Sequence, residues 1–121
     1  MELRMDGADL LKRLMSAATL RQDVIANNIA SQNLPGYRRR DVQFEELLAR
    51  ELEDGAEPRD LASVEAEIVT DWDTPARADG NNVSAEEERS LLRENRVRFE
   101  LYAAILRART NLVSQAILRD R

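Results

Sequence analysis

Hydrophobic positions recur at three- and four-residue steps over two long stretches of the chain and lose that spacing between them. From Asp9 onward, Leu10, Leu11, Leu14, Met15, Ala18, Val24, Ile25 and Ile29 mark the buried stripe of an amphipathic helix, expected over residues 9 to 33. Asp6 or Asp9 suits its N-cap, since a short carboxylate accepts from the free N–H groups of a first turn and complements the helix dipole. Arg21 and Asn28 fall on or beside the stripe. Two readings stand: edge positions, or, for Asn28, a buried amide that sets the register of a helix pair. The helix is expected to stop at Leu34-Pro35-Gly36-Tyr37, because the proline ring forces Leu34 out of the α region, Pro35 has no N–H, and Pro-Gly signals a turn.

Past this turn the spacing changes. Arg38-Arg39-Arg40 reads as a solvated turn, because the broader basic face that nucleic acid requires does not accompany it. Asp41 suits a cap, and Phe44, Leu47 and Leu48 share a face, so a short helix ending near Gly55 is expected. Residues 53 to 80 carry breakers and charge; only Val64, Ala66 and Ile68 alternate with Glu65 and Glu67 as a half-exposed strand would. A single strand has nothing obvious to pair with, and disorder is the other reading. Asp71, Asp73 and Asp79 lack the spacing of a helix-loop-helix calcium site and read as a solvated acidic loop.

Ser84-Ala85-Glu86-Glu87 opens the second periodic stretch. Ser84 is placed to accept from the Glu87 N–H, and the Glu87 carboxylate to accept from the Ser84 N–H. Leu92, Phe99, Leu106 and Val113 then repeat every seven residues, with Leu91, Ile105 and Leu112 one position before three of them and Tyr102 and Ala116 three after. A helix over residues 84 to 118 would be on the order of 50 Å long at 1.5 Å per residue. Its apolar positions cover more of the circumference than one partner helix can, and only one other long helix is present, so the surplus is expected to be an association surface. The candidate packing and assembly residues are Leu11, Leu14, Ala18 and Ile25 on the first helix and Leu92, Phe99, Tyr102, Leu106 and Val113 on the last.

Composition narrows the function classes. The 121 residues suit one domain of ordinary size, with 43% hydrophobic content and 4% aromatics implying an aliphatic core. A formal net charge of -5 argues against nucleic acid or anionic lipid as the main partner. Absence of cysteine excludes disulfides and thiol chemistry, and absence of histidine removes the commonest metal ligand and general base. With no glycine-rich phosphate loop and no nucleophile beside a base, no catalytic, cofactor-binding or metal-binding residue is assigned, and no small-molecule substrate. Asn82-Val83-Ser84 matches a glycosylation acceptor but reads better as the approach to the helix cap. No secretory signal or bilayer-spanning run of apolar residues is visible, which by general secretory rules places the chain in the cytosol.

One segment is more specific. Arg21-Gln22-Asp23-Val24-Ile25-Ala26-Asn27-Asn28-Ile29-Ala30, followed by Pro35-Gly36-Tyr37-Arg38, resembles the N-terminal signature of the bacterial flagellar basal-body rod protein family and its hook relatives, an ANNIAN run, a short spacer, then TPGY and a basic residue. Ser31 stands where that pattern has Asn, and Leu34 where it has Thr. Asp41-Val42-Gln43-Phe44-Glu45, Asp79-Gly80-Asn81-Asn82-Val83, Glu86-Glu87-Glu88-Arg89 and Glu94-Asn95-Arg96-Val97-Arg98-Phe99 are similar to the proximal rod members, with Ser84 replacing an Asp after the valine.

The resemblance implies a structural subunit that is exported through the flagellar type III apparatus and assembles helically in the periplasm. Its implied partners are other rod subunits and itself, with membrane-ring or rod-adaptor and export-gate components. Neither nucleic acid nor direct membrane insertion belongs to that reading, and the export route removes the cytosolic inference. The expected fold is all-α, with long N- and C-terminal helices packed as an antiparallel coiled-coil-like pair. Residues 34 to 80 form a turn, a short helix and a mobile acidic middle with room for a short strand, all in a single domain. In it Ala26, Asn27, Asn28, Ile29, Ala30, Pro35, Gly36 and Tyr37 form the motif and helix stop, Asn27 and Asn28 being offered to the partner helix or to neighbouring subunits. The rival readings are another small rod subunit, and a cytosolic helical adaptor or export chaperone.

Overall fold

The computed structural model describes residues 6 to 120; residues 1 to 5, part of the stretch without a signal-like run, lie outside it, as does Arg121. Two long helices dominate it, α1 (Gly7–Ala30) and, after the middle of the chain, α3 (Ala85–Arg119). Asp6 caps α1, its carboxylate accepting from the Asp9 N–H at 2.8 Å. Ser84 caps α3 by accepting from the Glu87 N–H at 3.4 Å. Glu87 itself is exposed and gives no reciprocal bond, so the cap is single.

The helices run antiparallel, as three cross-links along their length show. Asn28 near the end of α1 bonds Glu88 near the start of α3, the Ala18 carbonyl accepts from Asn95, and Gly7 lies beside the Arg109 guanidinium. Residues 107 to 119 of α3 are exposed throughout.

The middle is more structured than its composition suggests. Strands β1 (Arg40–Gln43) and β2 (Glu67–Thr70) pair antiparallel, with Arg40 opposite Thr70 and Val42 opposite Ile68. Helix α2 (Glu45–Glu53) and a 3₁₀ helix (Pro58–Ser63) lie between them. The main apolar cluster, Ala17, Phe44, Leu48 and Leu61 with Leu10, Leu14, Val64 and Ala66 alongside, joins α1 to this middle layer. Burying each large member of it contributes about 1.5–3 kcal/mol. Arg13 fastens the same junction, donating to the carbonyls of Leu61, Ala62 and Val64 at the end of the 3₁₀ helix while lying 5.7 Å from the Phe44 ring centroid.

Four expectations are corrected. Helix α1 ends at Ala30, short of Leu34-Pro35, because Asn81 donates to the carbonyls of Ser31 and Leu34 and draws the chain out of the helix first. Asp41 caps no helix: residues 40 to 43 are a strand, and α2 starts at Glu45 without a side-chain cap. The second strand begins at Glu67, later than the alternation of residues 64 to 68 implied, since Val64 and Ala66 turn into the apolar cluster. Finally, the strand pair makes the fold mostly helical rather than all-α, and the strand that seemed to lack a partner pairs with β1.

Candidate functional site

The join between the two long helices is built from polar side chains. Asn28, fully buried, uses all four of its hydrogen-bonding positions. Its amide nitrogen donates to the Arg40 carbonyl at 2.9 Å and to Glu88 Oε2 at 3.1 Å. Its oxygen accepts from the Arg40 N–H at 3.0 Å and the Tyr37 hydroxyl at 3.1 Å. The amide thus pairs with both backbone groups of Arg40 as a neighbouring strand would, which explains why Arg40 is extended although the local sequence suits a helix start.

Arg39 is the second node. It is buried, and Asp41 receives two parallel bonds from it at 2.7 Å, Asp71 one at 3.0 Å, and Glu88 one from Nε. Burial works against its charge, but the bonds to Asp41, Glu88 and Asp71 outweigh this and raise its pKa further. The Asp71 carboxyl is held well below the usual range by the Thr74 hydroxyl and N–H, with help from Arg39. Neither residue is the solvated charge that its neighbours in sequence suggested.

The turn before α3 completes this latch. The Asn81 side chain spans Ser31, Leu34 and the Val83 N–H, while Asn82 accepts from the Arg39 N–H at 2.7 Å and donates to the carbonyls of Asp71 and Thr74. Both asparagines are buried, so Asn82 is a structural amide and not an accessible acceptor. Gly36 donates to the Asp79 carbonyl at 2.8 Å, bringing the Pro-Gly and Asp-Gly turns together.

Further along the seam, Asn95 donates to the Ala18 carbonyl at 2.8 Å and accepts from Arg21 at 3.3 Å. Arg21 in turn pairs with Glu45 at 2.6 Å, where the Tyr102 hydroxyl also donates at 3.2 Å. Burial opposes the charge on Glu45, yet Arg21 holds its pKa down; burial and then the Glu45 charge push the Tyr102 phenol up. Among the described residues, no buried side-chain nitrogen or oxygen lacks a partner. The three carboxylates that converge at the latch, those of Asp41, Asp71 and Glu88, all bond Arg39.

The opposite side of α3 is apolar and open. Val97, Leu101, Ala104, Ala108 and Leu112 follow one another at three- and four-residue steps on the face turned from α1, with Leu101 55% and Leu112 67% exposed.

No family model matches the chain. It is 30% identical to the flagellar basal body rod protein FlgB of Bacillus subtilis (strain 168) over 98 residues, 74% of this chain and 76% of that protein. The FlgB of Borrelia hermsii is 28% identical over 82% of this chain and 86% of its own length, and that of Escherichia coli (strain K12) 30% over 71% and 74%. The chain belongs to the FlgB family of flagellar basal body rod proteins.

In this FlgB-family chain the motif residues divide by role. Asn28 is the buried node, Tyr37 is half-buried and bonded to it, and Ile25 and Ile29 face inward. Ala26, Asn27, Ala30, Pro35 and Gly36 are exposed. Leu11, Ala18 and Ile25 are buried on α1, with Leu14 half-buried against the middle layer. Leu92, Phe99, Tyr102 and Leu106 are half-buried, and Val113 is exposed. These α3 residues lie on the row that contains Glu88 and Asn95, the inner seam; the open stripe is a different set. Sequence reasoning did not single out Arg39, Asn81, Glu88 or Asn95 as functional. A signal did exist for two of them: extending the three-after positions of the heptad back from Tyr102 lands on Asn95 and Glu88, polar residues on an apolar row.

Proposed function

We propose that this chain is a structural, non-enzymatic subunit of the proximal rod in the bacterial flagellar basal body, assembling helically with itself and other rod subunits. The observation that carries the reading, beside membership of the FlgB family, is the second apolar stripe of α3, which α1 leaves uncovered. An exposed apolar row of this length, on a helix packed on its other side as far as Leu106 and exposed throughout beyond it, marks a contact with other protein. The α1–α3 pair acts as a coiled-coil-like stem, and the latch holds the stem at a fixed angle to the middle layer, as a load-bearing subunit requires. No described helix is long and apolar enough to cross a membrane. Type III export delivers the chain to the periplasmic rod, where membrane-ring, adaptor and export-gate components are its neighbours.

The test is fractionation. A strain lacking its own copy and expressing the tagged full chain should show it in purified basal bodies and regain motility. Retention of all of it in the cytosol would mark an adaptor or chaperone and sink the reading.

A further inference from the structure

Charge on this molecule is segregated between two stretches that touch within one copy at the start of α2, where Glu45 takes Arg98 at 3.6 Å and the Tyr102 hydroxyl at 3.2 Å. Residues 45 to 67 hold nine acidic side chains against two arginines; residues 89 to 119 hold seven arginines against two glutamates. On α2 and at its C-cap, Glu46, Glu53 and Asp54 are exposed beside exposed Ala49 and Leu52, with no cation within 4.0 Å among the described residues. On α3, Arg89, Arg93, Arg96 and Arg107 are exposed along one flank of the open stripe, and among the described residues none has a carboxylate within that distance.

The α2 layer is docked on α1 through Ala17, Phe44 and Leu48, whereas the stripe is on the side of α3 turned from α1. Within one copy α3 meets α2 through Arg98 and Tyr102 at Glu45, not through the stripe or its arginine flank, which a second copy can cover. Resting on the rod-subunit reading, we propose that the outer face of α3 in one copy packs against α2 of a second copy. The stripe from Val97 to Leu112 meets Ala49 and Leu52, and the flanking arginines meet Glu46, Glu53 and Asp54. Opposite potentials favour this pairing over α3 against α3, where arginine rows would face each other. Because two different patches are joined, each added copy leaves one of each free, and the association continues as an open helical series instead of closing as a two-fold dimer.

The chain has no cysteine, so introduced thiols report the contact alone. Full-length chain carrying both Ala49→Cys and Ala108→Cys, expressed as the only copy in a flagellated strain, should crosslink between copies in isolated basal bodies through a 49–108 peptide pair. Arg93→Glu with Arg107→Glu, or Glu46→Arg with Glu53→Arg, should each lower that yield about tenfold and impair swimming; all four together should restore both. A 108–108 pair, crosslinks from the thiol at position 108 only to other proteins, the absence of a 49–108 product, or failure of the fourfold exchange to rescue overturns the proposal. If the double-thiol chain does not enter basal bodies, rescue of swimming by the exchange decides alone. These failures leave the rod-subunit reading standing wherever the wild-type chain is found in basal bodies; its absence from them sinks both.

Discussion

Gly80 lies directly against Gly36: both have positive φ, 85° and 76°, and a Cβ built on Gly80 would stand 3.2 Å from the Gly36 Cα. The two turns that flank the long helices thus touch through their glycines, backbone to backbone, and neither can retreat without breaking the Gly36–Asp79 hydrogen bond.

Gly80→Ala should therefore cost more than alanine at the other left-handed glycines. The left-handed backbone alone costs about 1–2 kcal/mol for a residue with a Cβ. Gly36 and Gly55 have nothing within 4 Å of a built Cβ and should lose only that. Gly80 adds the clash, for a total of about 2–3 kcal/mol. Urea unfolding of the three variants checks the order, and equal losses would show that the glycine contact is not tight.

Replacing Asn28 by Asp keeps the shape and removes the donors. At neutral pH a second carboxylate would face Glu88, and the Arg40 carbonyl would lose its partner. The expected loss is about 3–5 kcal/mol by denaturant titration at pH 7. It should shrink at pH 4, where protonation restores one donor. A loss under about 1 kcal/mol would mean that the amide is replaceable by water.

Acid should weaken the latch through Asp71. Its carboxyl is held below the ordinary range by Thr74 and then Arg39, against the opposing effect of burial. A carboxyl lowered in the folded state contributes stability that is fully present above its unfolded pKa of about 3.9 and is lost as pH falls toward the folded value. Stability from this group should be level between pH 7 and 5 and decline below about pH 4. Asp71→Asn should lower the plateau and flatten the decline, measured as melting temperature against pH.

The two rows of α3 should respond differently to the same insult. Leu106→Asp puts a carboxylate on the inner row with Asn95 and Glu88 and should destabilise the fold by about 2 kcal/mol or more. Leu101→Asp and Leu112→Asp alter only the open stripe and should leave stability within about 0.5 kcal/mol while abolishing motility. Thermal melts paired with swimming assays separate the rows, and a destabilised, motile Leu101→Asp would reverse the assignment.

Local pattern was enough to reveal the two long helices, the Ser84 cap and the surplus of apolar surface on α3, because each follows from side-chain spacing along one element. The Pro-Gly turn was equally visible, since its backbone needs are local, whereas the Asp-Gly segment stood out only through its family resemblance. What only the tertiary structure decided is where non-local partners claim backbone groups. Asn28 takes both groups of Arg40 and makes a strand where Asp41 and Phe44 suited a helix, and Asn81 ends α1 before Pro35 does. Burial of Arg39 was likewise invisible in an arginine triplet, because beside the nearby Asp41 its carboxylates are Asp71, brought over by the pairing of β1 with β2, and Glu88, brought by the antiparallel return of α3. Spacing along a chain reports which faces are apolar; hydrogen bonds between distant segments report where those faces are held.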